Sequence, residues 1–191
     1  MKFQPVVSLS RSGIVLLADH SMKLCFSLAL VVLLSFGAAP LAAQDIKQLG
    51  LHDAWEASTS TDRGQRVCFM VSEPTKKEPA DARRGNVQAF VSHRPGEKAQ
   101  DVVSFSLGYR LKPASEPRVV IGSRTVALTT DGEWAWTKTA ADDKALVQAM
   151  MSGAAMTLSG ESERGTKTVD SYSLKGFSTA YKEINKACGI K

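Results

Sequence analysis

Between Gln65 and Leu174 the chain breaks off every few residues: short apolar runs end in Pro, Gly or polar clusters, the punctuation of successive β-strands. Gln65 to Glu73 (QRVCFMVSE) alternates, with Val67, Phe69 and Val71 on one face and Cys68 and Met70 on the other, so it reads as a strand buried on at least one side. Val87 to His93 is a second strand, and Asp101 to Arg110 places Val103, Phe105, Leu107 and Tyr109 on a single face. Pro74, Pro79, Gly85, Pro95 and Gly96 fill the gaps. Arg118 to Ile121 and Arg124 to Thr129 flank Gly122-Ser123, a tight hairpin turn. After Asp131-Gly132, Glu133 to Thr137 (EWAWT) sets Trp134 and Trp136 on one face of a strand. Two Trp so spaced form either a core wall, the commoner case, or an exposed platform for binding a partner.

The helices are few. Asp142 or Asp143 is expected to cap a short helix whose Leu146, Val147, Met150 and Met151 keep helical spacing and which Gly153 closes. Ala155 to Ser159 and Lys167 to Leu174 then read as strands joined by the polar turn Gly160 to Gly165. Phe177, Ala180, Tyr181, Ile184, Ala187 and Cys188 make one apolar stripe on a C-terminal helix. Roughly seven to nine strands with two helices predict a mainly β fold, a β-sandwich with helical decoration, a small β-barrel being the alternative.

Ahead of these elements, Met22 to Ala43 reads MKLCFSLALVVLLSFGAAPLAA: a Lys, an apolar run from Leu24 to Phe36, then small residues. This is the pattern of a secretory signal peptide. The run has 13 residues, where a membrane-spanning helix needs about 20. We expect residues 1–43 to be the signal, with translation starting at Met22 and cleavage near Ala43, leaving a single β-sandwich domain over 44–191. No membrane span is then expected to remain, and the compartment is the periplasm or the exterior. The signal takes Lys2, Arg11, Lys23 and Asp19 with it, so a net charge of +5 falls to +3. The densest basic cluster, Lys76, Lys77, Arg83 and Arg84, is interrupted by Glu78, Pro79 and Asp81 and reads as a solvated polar loop, with no nucleic-acid partner implied.

Cysteine use follows from export. Cys25 leaves with the signal, and Cys68 and Cys188 remain as an even pair in an oxidising compartment, so one disulfide closing 121 residues is expected. The loop-entropy model assigns such a loop about 4–5 kcal/mol as an upper figure. Neither Cys has a Cys-x-x-Cys or Cys-His neighbour that would suggest a reactive thiol or a metal ligand.

Catalytic signals are missing. His52 and His93 are far apart in the chain, and each reads as a surface or strand-end residue. No Ser sits in Gly-x-Ser-x-Gly or Ser-x-x-Lys, and Gly160 to Gly165 lacks the Gly-Lys-Ser/Thr ending of a phosphate loop. No catalytic, cofactor-binding or metal-binding residue is therefore assigned, and no cofactor is expected.

The order of the motifs carries a resemblance. Trp55, Val67-Cys68 followed by Glu73-Pro74, Ser106-Leu-Gly-Tyr109 and Trp134-Ala-Trp136 are similar to features of the invasion-associated locus B family of Gram-negative bacteria. So are Leu146 to Gly153, Met156-Thr-Leu-Ser, Arg164-Gly165 and Asp170 to Phe177 leading to Cys188. One departure is Glu56-Ala57-Ser58, which offers no Cys for the second disulfide of some relatives. The resemblance implies an envelope or secreted protein with an immunoglobulin-like β-sandwich, for some members a part in host-cell entry, and no reaction. Three functions are compatible: a non-enzymatic protein binding an envelope or host partner, a periplasmic maintenance or chaperone-like factor with an open strand edge, and an enzyme whose pocket gathers side chains from distant strands.

Overall fold

The computed structural model describes residues 45–190. The expected signal segment 1–43, with its start at Met22, its cleavage near Ala43 and Cys25, lies outside the described residues. Among them twelve strands form two antiparallel sheets. The larger sheet contains β1 (Lys47–His52), β2 (Trp55–Asp62), β3 (Gln65–Ser72), β5 (Gln88–Arg94), β6 (Ala99–Ser106), β10 (Trp134–Trp136) and β9 (Thr129–Asp131), in that spatial order. The smaller runs β4 (Lys76–Glu78), β12 (Lys167–Ser173), β11 (Ala155–Glu161), β7 (Arg118–Ile121) and β8 (Arg124–Ala127). Neither sheet pairs its first strand with its last, so the expected sandwich holds and the barrel alternative does not.

Directly opposed residues of antiparallel strands point to the same face, so the register sorts the side chains of the large sheet. Ala57, Met70, Val91 and Val103 make one cross-strand row and Ala89, Phe105 and Ala135 another, and all seven belong to the hydrophobic core. Val119 of β7, Met156 and Leu158 of β11 and Tyr172 of β12 bring the small sheet's inner face to the same core. Trp55 is fully buried; its indole N–H donates to the Ser173 carbonyl (3.0 Å), and its ring meets Phe177 edge-on at 4.9 Å.

Helix α1 (Ala140–Ser152) is capped by Thr139, whose hydroxyl accepts the Asp142 N–H, and not by either Asp. Asp143 has another task. Its buried carboxylate accepts the Val103 N–H (3.0 Å) and the Thr137 hydroxyl (2.5 Å), continuing the β6 ladder where β10 has stopped. Helix α2 (Phe177–Cys188) buries Phe177, Ala180 and Ile184, as its stripe predicts. It starts at Gly176, φ +85°, where a Cβ would lie 1.9 Å from the His52 carbonyl oxygen, so only glycine fits.

Candidate functional site

The predicted pair Cys68–Cys188 is bonded, with Cα atoms 6.0 Å apart, and ties β3 to the last turn of α2. Beside it His93 is fully buried at the end of β5, not on the surface. Its Nδ1 accepts the Asp101 N–H at 3.1 Å, which suits a neutral ring. Burial pushes its pKa down, outweighing the opposing pull of Asp101 and Asn185. The Tyr181 hydroxyl donates to Asp101 at 2.6 Å, and burial together with that bond pushes Tyr181 up to about 12. The Tyr181–Asp101 bond and the His93–Tyr181 ring contact hold α2 to the sheet, while His93 Nε2 is buried without a hydrogen-bond partner among the described residues. His52 is remote from them in purpose, lying 2.9 Å from Glu183 of α2.

Trp134 and Trp136 lie on the opposite face of the large sheet. Register aligns Val71, Phe90, Ser104 and Trp136 in one row and Gln88, Ser106 and Trp134 in the next, while Ala135 between the two indoles is the residue that reaches the core. The alternation of β10 turns both rings to the face opposite Ala135, which opposes Phe105; there Trp136 is buried, as a core wall would have it, whereas Trp134 is only half-buried. Trp134 stacks on Trp136 (6.4 Å between centroids) and tilts against Phe90 (5.7 Å). Trp136 and Phe90 are buried, whereas Trp134, Phe69 and Val71 are half-buried. Val67, also buried, extends this band; Val67, Phe90 and Trp136 are buried hydrophobics that lie outside the main cluster between the sheets, while Phe69, Val71 and Trp134 keep part of their surface open.

A third feature escaped the sequence. A cleft of 630 Å³ opens between the loop of Pro79 to Arg84, the segment Tyr109-Arg110 that follows β6, and the β11–β12 turn with Ser162 to Thr168. Behind it Arg84 and Asp170, with side chains only 5% and 0% exposed, form a two-pronged pair of 2.8 and 2.7 Å. Tyr109 and Thr168 share a hydroxyl–hydroxyl bond of 2.7 Å, and burial raises the Tyr109 pKa. The walls are fixed by backbone: Gly85 N–H donates to the Gly108 carbonyl (2.8 Å), and Gly108, φ +71°, has no room for a Cβ, which would lie 2.7 Å from the Gly85 oxygen. The basic cluster read as one solvated loop is thus split. Lys76 and Lys77 go to edge strand β4, Arg84 is buried against Asp170, and Arg83 stands on the cleft's lip. Arg83-Arg84 was the available signal, but its buried partner is 86 residues away.

Among the described residues no group of three or more His, Cys, Asp or Glu is placed to hold a metal ion, and no helix is long and apolar enough to cross a membrane. In comparison with known proteins, the family described as Invasion associated locus B (IalB) protein matches residues 55–185, well over half the chain. No curated protein and no solved structure matches it.

Proposed function

The chain belongs to the invasion associated locus B family, and on that premise we propose that it is an exported, non-enzymatic protein that binds an envelope or host partner through the outer face of its large sheet. The observation that carries this reading is the partly open set Phe69, Val71 and Trp134 on the outer face of the large sheet, seated on the buried Val67, Phe90 and Trp136 and outside the main cluster between the sheets. Aromatic side chains with part of their surface open are the usual anchors of protein interfaces. The signal pattern before Gln44 and the disulfide between Cys68 and Cys188 support an oxidising, extracytoplasmic setting in the periplasm or outside the cell. In a host-associated bacterium that setting allows a contribution to invasion.

A second reading, periplasmic envelope maintenance by strand capture, is favoured by the two sheets' edge strands, since β1 and β8 each have one unpaired side. Two experiments test the proposal. Cell fractionation with protease shaving is expected to recover the chain outside the cytoplasm; cytoplasmic recovery would overturn the export claim. Affinity capture of the exported chain is expected to retain a partner that Trp134→Ser loses at unchanged thermal midpoint. Equal retention by Trp134→Ser would remove the outer face from the binding role and favour capture at an edge.

A further inference from the structure

The cleft beside Tyr109 is independent of the aromatic face and has the makings of a ligand site. Its volume, 630 Å³, lies in the range of small-molecule pockets. Its cations differ in their engagement. Arg84 is spent on Asp170, and Arg110 faces Glu163 at 3.3 Å, whereas Arg83 on one lip and Arg164 on the other form no ion pair or hydrogen bond with the described residues. Asp81, on the Arg83 side, is the remaining carboxylate of the lining. Two unengaged guanidiniums lining one cleft suit an anion with several charged oxygens, because both can donate charge-assisted hydrogen bonds to it.

The floor carries a different chemistry. In the Tyr109–Thr168 pair one hydroxyl donates to the other, and the proton of the accepting hydroxyl is left for an outside acceptor. The Ser162 hydroxyl accepts the Thr166 N–H at 3.1 Å and keeps its own proton to donate. The Tyr109 phenol is protonated at neutral pH, and burial pushes its pKa further up, so it serves as donor or acceptor. Hydroxyl groups on a ligand find matching partners here.

We infer that this cleft binds a phosphate monoester carried on a hydroxyl-rich body, a phosphorylated sugar in chemical class, with Arg83 and Arg164 on the phosphate and Tyr109, Thr168 and Ser162 on the hydroxyls. The Arg84–Asp170 pair positions the cleft's wall and does not touch the ligand. Three of the motifs singled out in the sequence, Ser106 to Tyr109, Arg164-Gly165 and the start of Asp170 to Phe177, meet at this place, which gives them a common purpose.

Isothermal titration and thermal-shift measurements on the exported protein with glucose 6-phosphate test this, with glucose and inorganic phosphate as the two halves of the probe. The expected result is saturable binding of glucose 6-phosphate, weaker binding of inorganic phosphate and none of glucose. Arg83→Gln combined with Arg164→Gln should weaken binding by about tenfold or more, from the loss of charge-assisted hydrogen bonds, with the thermal midpoint of the free protein unchanged. Vesicles of phosphatidylcholine with and without phosphatidic acid separate the sources: retention only on the vesicles that carry the phosphate monoester of phosphatidic acid, lost in the double variant, assigns the site to a lipid headgroup, and binding of the soluble probe alone assigns it to a free phosphosugar. Absence of binding in both presentations, equal binding of glucose, or undiminished binding by the double variant would overturn the inference.

Discussion

The two faces of the large sheet are built from the same strands and differ in what surrounds their apolar side chains. Inward, Met70, Val91, Val103 and Phe105 lie on three adjacent strands with Ala57, Ala89 and Ala135 beside them, and helices and the small sheet pack against them. Outward, Phe69, Phe90, Trp134 and Trp136 alternate with Ser58, Ser92, Ser104 and Ser106, so the rings Phe90, Trp134 and Trp136 meet over small hydroxyl side chains. The first arrangement fills space as a core does. The second buries Phe90 and Trp136 and leaves Trp134 and Phe69 partly open, the form suited to receiving something else.

The comparison can be broken from either side. The largest effect is expected for Cys68→Ala, on the inward face: loss of the cross-link to α2 removes up to about 4–5 kcal/mol in the loop-entropy model, read as a lower denaturation midpoint, and reduction of the native protein should reproduce it. Phe105→Ala, at the centre of the inward rows, is expected to cost about 3–5 kcal/mol by chemical denaturation; a cost below about 1 kcal/mol would show that the inward face is not the core the register implies.

A smaller effect concerns pH. Because burial holds the folded His93 below its ordinary value of 6.5, the unfolded chain takes up that proton first. Stability from this group is therefore complete above about pH 6.5 and declines as pH falls below it, levelling off once the folded ring is protonated as well. Thermal midpoints at about pH 7.5 and about pH 5.5 should differ more in the native protein than in His93→Gln. Equal differences would mean that His93 is not held neutral. The smallest effect is expected outward: Trp134→Ser should cost about 1 kcal/mol, the worth of its ring contacts, while removing partner capture.

Which face would be which was only half legible in the sequence. The alternation of Gln65 to Glu73 separates Val67, Phe69 and Val71 from Cys68 and Met70, and both sets are apolar, so periodicity alone does not say which turns inward. Pairing with His93 and Val91, beneath α2, decides it. For the same reason the Trp pair could be placed on one side of a strand but not assigned to a side. The disulfide was readable because a chain read as exported, with one even pair of Cys left after the signal pattern, offers few alternatives. Strand β2 was not readable: after Trp55 it is Glu-Ala-Ser-Thr-Ser-Thr-Asp, whose small side chains carry no apolar rhythm, and it is held by its neighbours β1 and β3. The cleft was out of reach altogether, since Arg84, Tyr109 and Asp170 come from three separate stretches and only the packing of Gly85 on Gly108 brings the first two together.

The most direct test of the account is site-specific photo-crosslinking in intact cells, with the crosslinking side chain placed at position 69, on the outward face of the large sheet with Trp134 left in place, or at position 169, where Val169 is exposed on the small sheet. The account predicts a discrete crosslinked species from position 69 and none from position 169. The same species from both positions, or crosslinks from position 169 alone, would contradict the assignment of the outward face as the binding surface.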